Sequence, residues 1–171
     1  MTEETAAADA APKPTTFEEL LATQGFLIYT NVGCSMMPLL RQRKDLIEIR
    51  SKPPGRCRKY DVVLYKRGPK YILHRILKVR PQGYVIAGDH NTFLEYDITD
   101  DHILGVMTRV IRNGRTITMD DRLYRFYVHL WCDFYPMRML ILKEKAFARR
   151  VLRALKRKLR SICDRFISKK E

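Results

Sequence analysis

Three side chains of this sequence could together catalyse acyl transfer. Ser35 lies in residues 33–38, with the sequence Gly-Cys-Ser-Met-Met-Pro, which is typical of a tight turn flanked by apolar residues. His74 lies in an aliphatic segment, and Asp89 follows a glycine. A free serine hydroxyl is a poor nucleophile near neutral pH, so it needs a base within hydrogen-bond distance and a third group that fixes the tautomer of that base. The three residues supply a nucleophile, an imidazole base and a carboxylate, in the chain order Ser, His, Asp.

Four segments carry a resemblance to type I signal peptidases and the related self-cleaving repressor proteases. Residues 33–38 resemble the nucleophile motif, and residues 60–65 (Tyr-Asp-Val-Val-Leu-Tyr) resemble a Gly-Asp-Val-Val strand with tyrosine in place of glycine. Residues 73–76 (Leu-His-Arg-Ile) are similar to the His-Arg motif, and residues 88–91 (Gly-Asp-His-Asn) to the Gly-Asp-Asn-Asn motif. The order of the four motifs is that of the family. The resemblance implies an antiparallel β catalytic domain and a serine endopeptidase that cleaves a leader, signal or precursor peptide.

The resemblance is to the branch that uses histidine as the base, found in the endoplasmic reticulum, archaea and sporulating bacteria. It implies that Ser35 is the nucleophile, His74 the base and Asp89 the acidic partner. In that branch a second acidic residue lies six positions after the Gly-Asp aspartate, and here that position is Glu95. The carboxylate that orients His74 is therefore open between Asp89 and Glu95. Position 33 is glycine where some members place a hydroxyl, so oxyanion stabilisation would depend on the Ser35 amide and a second donor.

The cysteines indicate neither a metal site nor a cofactor. Cys34, Cys57, Cys132 and Cys163 show no C-x-x-C spacing and no interleaved histidines suited to zinc, and the resemblance implies no cofactor. They favour a reduced, cytosolic compartment, although an even number also permits a disulfide. Cys34 is an alternative nucleophile beside Ser35, but the matching motif has its nucleophile at the serine.

Residues 1–14 predict a disordered leader, because they are small, acidic and proline-bearing. They lack the basic and apolar regions of a secretory signal, so we expect a protein that is not exported. Residues 15–120 predict the β catalytic domain. It begins with a helix from a Thr16 capping box to Gln24, which Gly25 ends. We expect strands over residues 26–30, 46–49, 61–66, 71–79 and 83–87, then a hairpin of 102–112 and 115–119 closed by Asn113-Gly114.

Residues 121–171 predict a helical, basic, amphipathic tail with a break at Pro136. Thirteen lysines and arginines lie between Arg138 and Lys170, against only Glu144 and Asp164, and apolar residues recur on one helical face. This pattern favours peripheral binding to an anionic membrane surface through residues 138–170. Nucleic acid is a weaker candidate, since stacking aromatic residues are sparse there. The alternative is a helix docked on the β domain with a solvated charged face.

The composition favours an anionic partner, because the formal net charge of the 171 residues is +14. No run of eighteen apolar residues is present, so we expect no transmembrane helix. The hypothesis is a serine endopeptidase in the cytoplasm or at the inner membrane surface, with a peptide or protein substrate. The alternatives are a non-catalytic lipid- or nucleic-acid-docking protein on the same scaffold, and a self-cleaving regulator with a candidate cleavage site at residues 6–11.

Overall fold

The computed structural model describes residues 16–167, except for the side chains of residues 135, 145, 146 and 161–167. Within this part of the chain, eight antiparallel strands form one sheet, flanked by three α-helices and a short 3₁₀ turn. The prediction of a mainly antiparallel β fold with flanking helices is therefore confirmed. The predicted leader at residues 1–14, the candidate cleavage site at 6–11 and the last four residues of the tail lie outside the described residues.

The first helix, α1 (Phe17–Gln24), begins and ends where its capping residues predict. The Thr16 hydroxyl accepts from the Glu19 amide at 3.2 Å, and the Glu19 carboxylate accepts from the Thr16 amide at 3.0 Å. Gly25 follows in the left-handed conformation, with φ of 75°, and its amide donates to the Leu21 carbonyl. Leu21 packs into the core, so this helix covers one part of the sheet.

Neighbouring strands of the sheet are mostly consecutive along the chain, with one large exception. Its strands are β1 (Phe26–Thr30), β2 (Leu46–Ser51), β3 (Val62–Arg67), β4 (Lys70–Arg80), β5 (Gly83–Ala87), β6 (Glu95–Ile98), β7 (Ile103–Arg112) and β8 (Arg115–Thr118). The order across the sheet is β1-β2-β7-β3-β4-β5-β6, and β8 pairs with β7. Strand β7 thus lies between β2 and β3, although it follows both of them along the chain.

Most of the predicted strands are confirmed to within two residues. The turn between β7 and β8 has φ of 51° at Asn113 and 75° at Gly114, as the predicted hairpin requires. Strand β6 was not predicted, and neither was the 3₁₀ turn Asp100–His102 that follows it. Strand β6 has only four residues, and it forms because Ile98 and Glu95 pair with Tyr84 and Ile86 of β5.

The two faces of the sheet carry separate apolar clusters. Along β3, Val62 and Leu64 belong to one cluster, whereas Val63 and Tyr65 belong to the other, because successive side chains alternate between faces. His74 of β4 pairs with Val63, and the next residue pairs with Val62. His74 and Arg75 therefore point to opposite faces, as the alternation predicts.

The C-terminal region forms α2 (Arg122–Asp133) and α3 (Tyr135–Ile167). The inner face of α2 contributes Tyr124, Val128 and Cys132 to the same cluster as α1. The predicted break at Pro136 falls two residues earlier, at Phe134, because proline is tolerated in the first turn of the following helix. Neither these helices nor any other within residues 16–167 is both long and apolar enough to span a bilayer.

Candidate active site

Ser35 lies in the turn that follows β1, and buried contacts hold the turn in place. Asn31 donates from its side-chain amide to the Gly33 carbonyl at 2.7 Å, and the Asn31 side chain is itself buried. Met36 inserts into the core and is 1% exposed, whereas Ser35 is half-buried. The Ser35 amide has no hydrogen-bond acceptor among the residues that the structure describes. The buried Asn31 and Met36 thus hold the turn against the core, whereas Ser35 lies at the surface of a groove.

The loop of residues 88–91 joins this turn to His74. The His90 amide donates to the Ser35 carbonyl at 2.7 Å, and the Asn91 side-chain nitrogen lies 3.3 Å from Nε2 of His74. A Cβ atom at Gly88 would lie 2.7 Å from the Ser35 carbonyl oxygen and 2.9 Å from Nε2 of His74. Position 88 therefore requires glycine because of this close approach.

Ser35 and His74 line the same groove, which has a volume of about 510 Å³. One end is aromatic, where the Phe17 ring packs against those of Tyr29 and Tyr71 at centroid distances of 5.1 and 4.7 Å. No hydrogen bond joins the Ser35 hydroxyl to the imidazole or to another described residue. Such contacts are often long in an unliganded enzyme and shorten when substrate binds.

The carboxylate beside the imidazole is that of Glu95. Its Oε1 lies 2.8 Å from Nδ1 of His74. Its Oε2 accepts from the Tyr65 hydroxyl at 2.8 Å and from Arg67 at 2.6 Å. The Tyr65 hydroxyl also lies 3.1 Å from Nδ1 of His74. Glu95 and Tyr65 thus occupy the Nδ1 side of the ring, Arg67 binds the far oxygen of Glu95, and Nε2 faces the loop.

Asp89 lies elsewhere, although it follows Gly88 directly. Its two oxygens accept from Arg75 Nε at 2.9 Å and from Arg75 Nη2 at 2.7 Å, and both side chains are fully buried. The Tyr127 hydroxyl donates to the same carboxylate at 2.9 Å. Asp89 makes no hydrogen bond to His74 in the described structure. Of the two candidate carboxylates, the structure brings Glu95 to the imidazole and leaves Asp89 in a buried ion pair.

Burial lowers the pKa of His74 from its ordinary value of 6.5. The residue is 4% exposed, and removal from water disfavours the charged imidazolium. Glu95 opposes this shift by attraction, and Arg67 reinforces it by repulsion. The net direction favours a neutral imidazole at neutral pH, which is the form that can accept a proton.

The C-terminal helices also bind this loop. Trp131 donates from its indole nitrogen to the Asp89 carbonyl at 2.8 Å. Arg138, which is 1% exposed, donates to the carbonyls of Gly88 and Asn91 at 2.6 and 3.0 Å. The loop therefore depends on helices that lie outside the predicted catalytic domain of residues 15–120.

Sequence reasoning missed Tyr65, Arg67 and Arg138 as residues of this site. Strand alternation could have placed Tyr65 and Arg67 on the face of His74, once the pairing of Val63 with His74 was known. No local sequence pattern indicates that Arg138, fifty positions after Gly88, would bind this loop.

The described cysteines are all free, and Cys34 is the neighbour of Ser35 in the turn. Cys34 is free and exposed, and Cys57 and Cys132 are free and buried; the side chain of Cys163 lies outside the description. Within the described residues, no cluster of three or more His, Cys, Asp or Glu side chains could hold a metal ion.

No protein-family model matches this chain, and no curated protein or solved structure is significantly similar to it.

Proposed function

We propose that the protein is a serine endopeptidase in which Ser35 is the nucleophile, His74 the base and Glu95 the carboxylate that orients the base. The observation that carries the proposal is the arrangement around His74. Its Nδ1 is held by Glu95 at 2.8 Å, while its Nε2 faces the loop that binds the Ser35 turn. A neutral imidazole held in this tautomer has its lone pair on Nε2, where a serine proton can be accepted.

In the proposed reaction, the Ser35 hydroxyl attacks a peptide carbonyl as His74 Nε2 takes its proton. The imidazolium is stabilised by Glu95 and then delivers the proton to the leaving amine. Water attacks the acyl-enzyme in the second half, again through His74. The Ser35 amide stabilises the oxyanion, since it has no acceptor within the described residues. The Asn91 amide, 3.3 Å from Nε2, gives way to the serine hydroxyl when substrate binds.

An extended peptide is the substrate that best fits the groove. Within the described chain, β1 pairs only with β2, and residues 70–74 of β4 pair only with β3. Tyr29 of β1 and residues 70–74 of β4 line the groove, so an unpaired edge of each strand lies beside it. An extended peptide can add to such edges through main-chain hydrogen bonds. We propose that the peptide is a leader, signal or precursor segment of another protein.

Cleavage of a peptide library, read by mass spectrometry, tests the proposal. Cleavage should disappear in Ser35→Ala and His74→Ala, because each substitution removes a reacting group. It should persist in Cys34→Ala, which removes the neighbouring thiol, and in His129→Ala, which removes an exposed histidine on α2. Cleavage that survives Ser35→Ala but not Cys34→Ala would instead identify a cysteine peptidase.

The second candidate is a non-catalytic docking protein on the same scaffold, and the basic, exposed α3 helix favours it. It predicts that no peptide is cleaved in a Ser35-dependent manner. It also predicts that the cellular activity of Ser35→Ala equals that of the wild-type protein. Self-cleavage is a third outcome of the same assay, and would be seen as a Ser35-dependent loss of intact mass on incubation.

A further inference from the structure

The outer faces of α2 and α3 expose large apolar side chains over most of their length. On α2, Leu123 is 84% exposed, Phe126 67% and Leu130 49%. On α3, Leu152, Leu155 and Leu159 are each more than half exposed. Residues at these intervals of three and four lie on one helical face. We call these six residues the apolar seam.

The α2 residues of the seam lie on the side of that helix that faces away from the core. The opposite side of α2 is fully used, because Tyr124, Val128 and Cys132 enter the core and Trp131 binds the loop. The α2 residues of the seam therefore cannot pack into the core of the same molecule while the opposite side of the helix occupies it. An exposed apolar surface of this extent usually marks an interaction site.

Basic residues flank the seam on α3. By helical spacing, Lys156 and Lys158 lie on either side of the stripe formed by Leu152, Leu155 and Leu159. Ten lysines and arginines occur between positions 138 and 160, against one acidic residue, Glu144. Long basic side chains beside an apolar stripe can extend to a layer of anionic groups while the stripe enters an apolar layer.

We propose that the apolar seam binds the surface of an anionic lipid bilayer, with α2 and the described part of α3 lying in the plane of the interface. A bilayer satisfies both features at once, since its acyl layer receives the seam and its headgroups receive the lysines and arginines. Nucleic acid would use the charge but leave the apolar side chains exposed. A second copy would cover the seam, but it would bring two strongly basic helices together without any acidic partner face.

The inference does not depend on peptidase activity, so its test can be separated from the test of the proposed function. Co-sedimentation is measured with vesicles of phosphatidylcholine and phosphatidylglycerol in equal parts, and with vesicles of phosphatidylcholine alone. We expect tight binding to the anionic vesicles only, weakened by added salt. Trp131 is the single tryptophan, so its fluorescence provides an independent measure of binding. The Ser35→Ala variant should bind like the wild-type protein.

Two pairs of substitutions examine the two parts of the seam. Phe126→Ser with Leu130→Ser, and Leu152→Ser with Leu155→Ser, should each weaken vesicle binding by about a hundredfold. Lys156→Gln with Lys158→Gln should weaken it by about twentyfold. The matched control, Leu46→Ser with Val79→Ser, removes exposed apolar side chains from the sheet and should bind like the wild-type protein.

Circular dichroism establishes that each variant remains folded, which is expected because all of the substituted side chains are solvent-exposed. The proposal is overturned if both seam variants bind anionic vesicles as tightly as the control does. It is also overturned if phosphatidylcholine alone binds equally well, if the protein binds RNA and not vesicles, or if size-exclusion chromatography shows a dimer that the seam substitutions dissociate.

Discussion

Replacing Glu95 and Asp89 by their amides should have opposite consequences for activity and stability. Glu95 contacts the imidazole at 2.8 Å, whereas Asp89 accepts two hydrogen bonds from Arg75 in a fully buried pair. In Glu95→Gln the charge that orients and stabilises the imidazolium is lost. We expect kcat to fall by about a hundredfold to ten-thousandfold while the fold is retained.

The expected effect of Asp89→Asn follows from the burial of its partner. Removing one charge of a buried, hydrogen-bonded ion pair leaves the other uncompensated, which costs about 3–5 kcal/mol. Arg75 would keep its bonds to the Tyr60 carbonyl and the Tyr124 hydroxyl, at 3.0 and 2.8 Å, but neither group carries a compensating negative charge. For a protein of this size, the loss corresponds to a decrease in Tm of roughly 6–20 °C.

Thermal unfolding and peptide cleavage, measured on the same preparations, separate the two effects. The matched control is Asp97→Asn, which neutralises an exposed carboxylate on the same strand as Glu95 and should change neither quantity. Cleavage by Asp89→Asn is measured well below its Tm, where the protein remains folded. The reasoning would be refuted by an Asp89→Asn protein of wild-type stability without activity, combined with a Glu95→Gln protein of full activity.

Three further substitutions probe the same site. Because burial lowers the pKa of His74 from 6.5, kcat/KM should be constant above pH 6.5 and fall only at lower pH. Arg67→Met removes a charge that repels the imidazolium, so the fall in kcat/KM should move to higher pH. The control Lys70→Met should leave the pH profile unchanged. Gly88→Ala places a methyl group 2.9 Å from His74 Nε2, so it should lower the free energy of unfolding by about 1–3 kcal/mol and reduce the rate of cleavage. A variant with the wild-type stability and rate would contradict the close approach. Gly33→Ser is sterically acceptable, since a Cβ at position 33 would lie 3.9 Å from the Ser35 hydroxyl. The new serine hydroxyl should donate to the oxyanion and raise kcat by about tenfold. Gly33→Ala is the control, because it adds only the methyl group.

Local sequence predicted the parts of the fold whose determinants are local. The capping residues of α1 and the Asn113-Gly114 turn specify their own geometry, and the structure contains both as predicted. Strand β6 escaped prediction because its four residues become a strand only by pairing with β5. The break between α2 and α3 was predicted at Pro136 but lies at Phe134, since proline is common at the start of a helix as well as at a break.

The choice between the two carboxylates depended on tertiary structure. Alternation along β4 predicted that His74 and Arg75 face opposite sides, and the structure has them so. Alternation did not show that the Asp89 side chain would lie on the same side as Arg75, or that β6 would place Glu95 beside His74. The pairing of Arg75 with Ala87 decides this, because it places the loop after β5 beside the arginine.

The same two helices carry the proposed membrane surface and the loop of the proposed active site. Trp131 and Arg138 bind the carbonyls of residues 88, 89 and 91, while the apolar seam occupies the outer faces of the two helices. A helix that binds a bilayer loses freedom of motion, and the loop attached to its inner face should lose it as well. If both proposals hold, anionic vesicles should raise the rate at which a soluble peptide is cleaved, and the Phe126→Ser, Leu130→Ser protein should retain only the rate measured without vesicles. No stimulation of the wild-type protein, or equal stimulation of the wild-type and seam-substituted proteins, would show that binding through the seam does not affect catalysis.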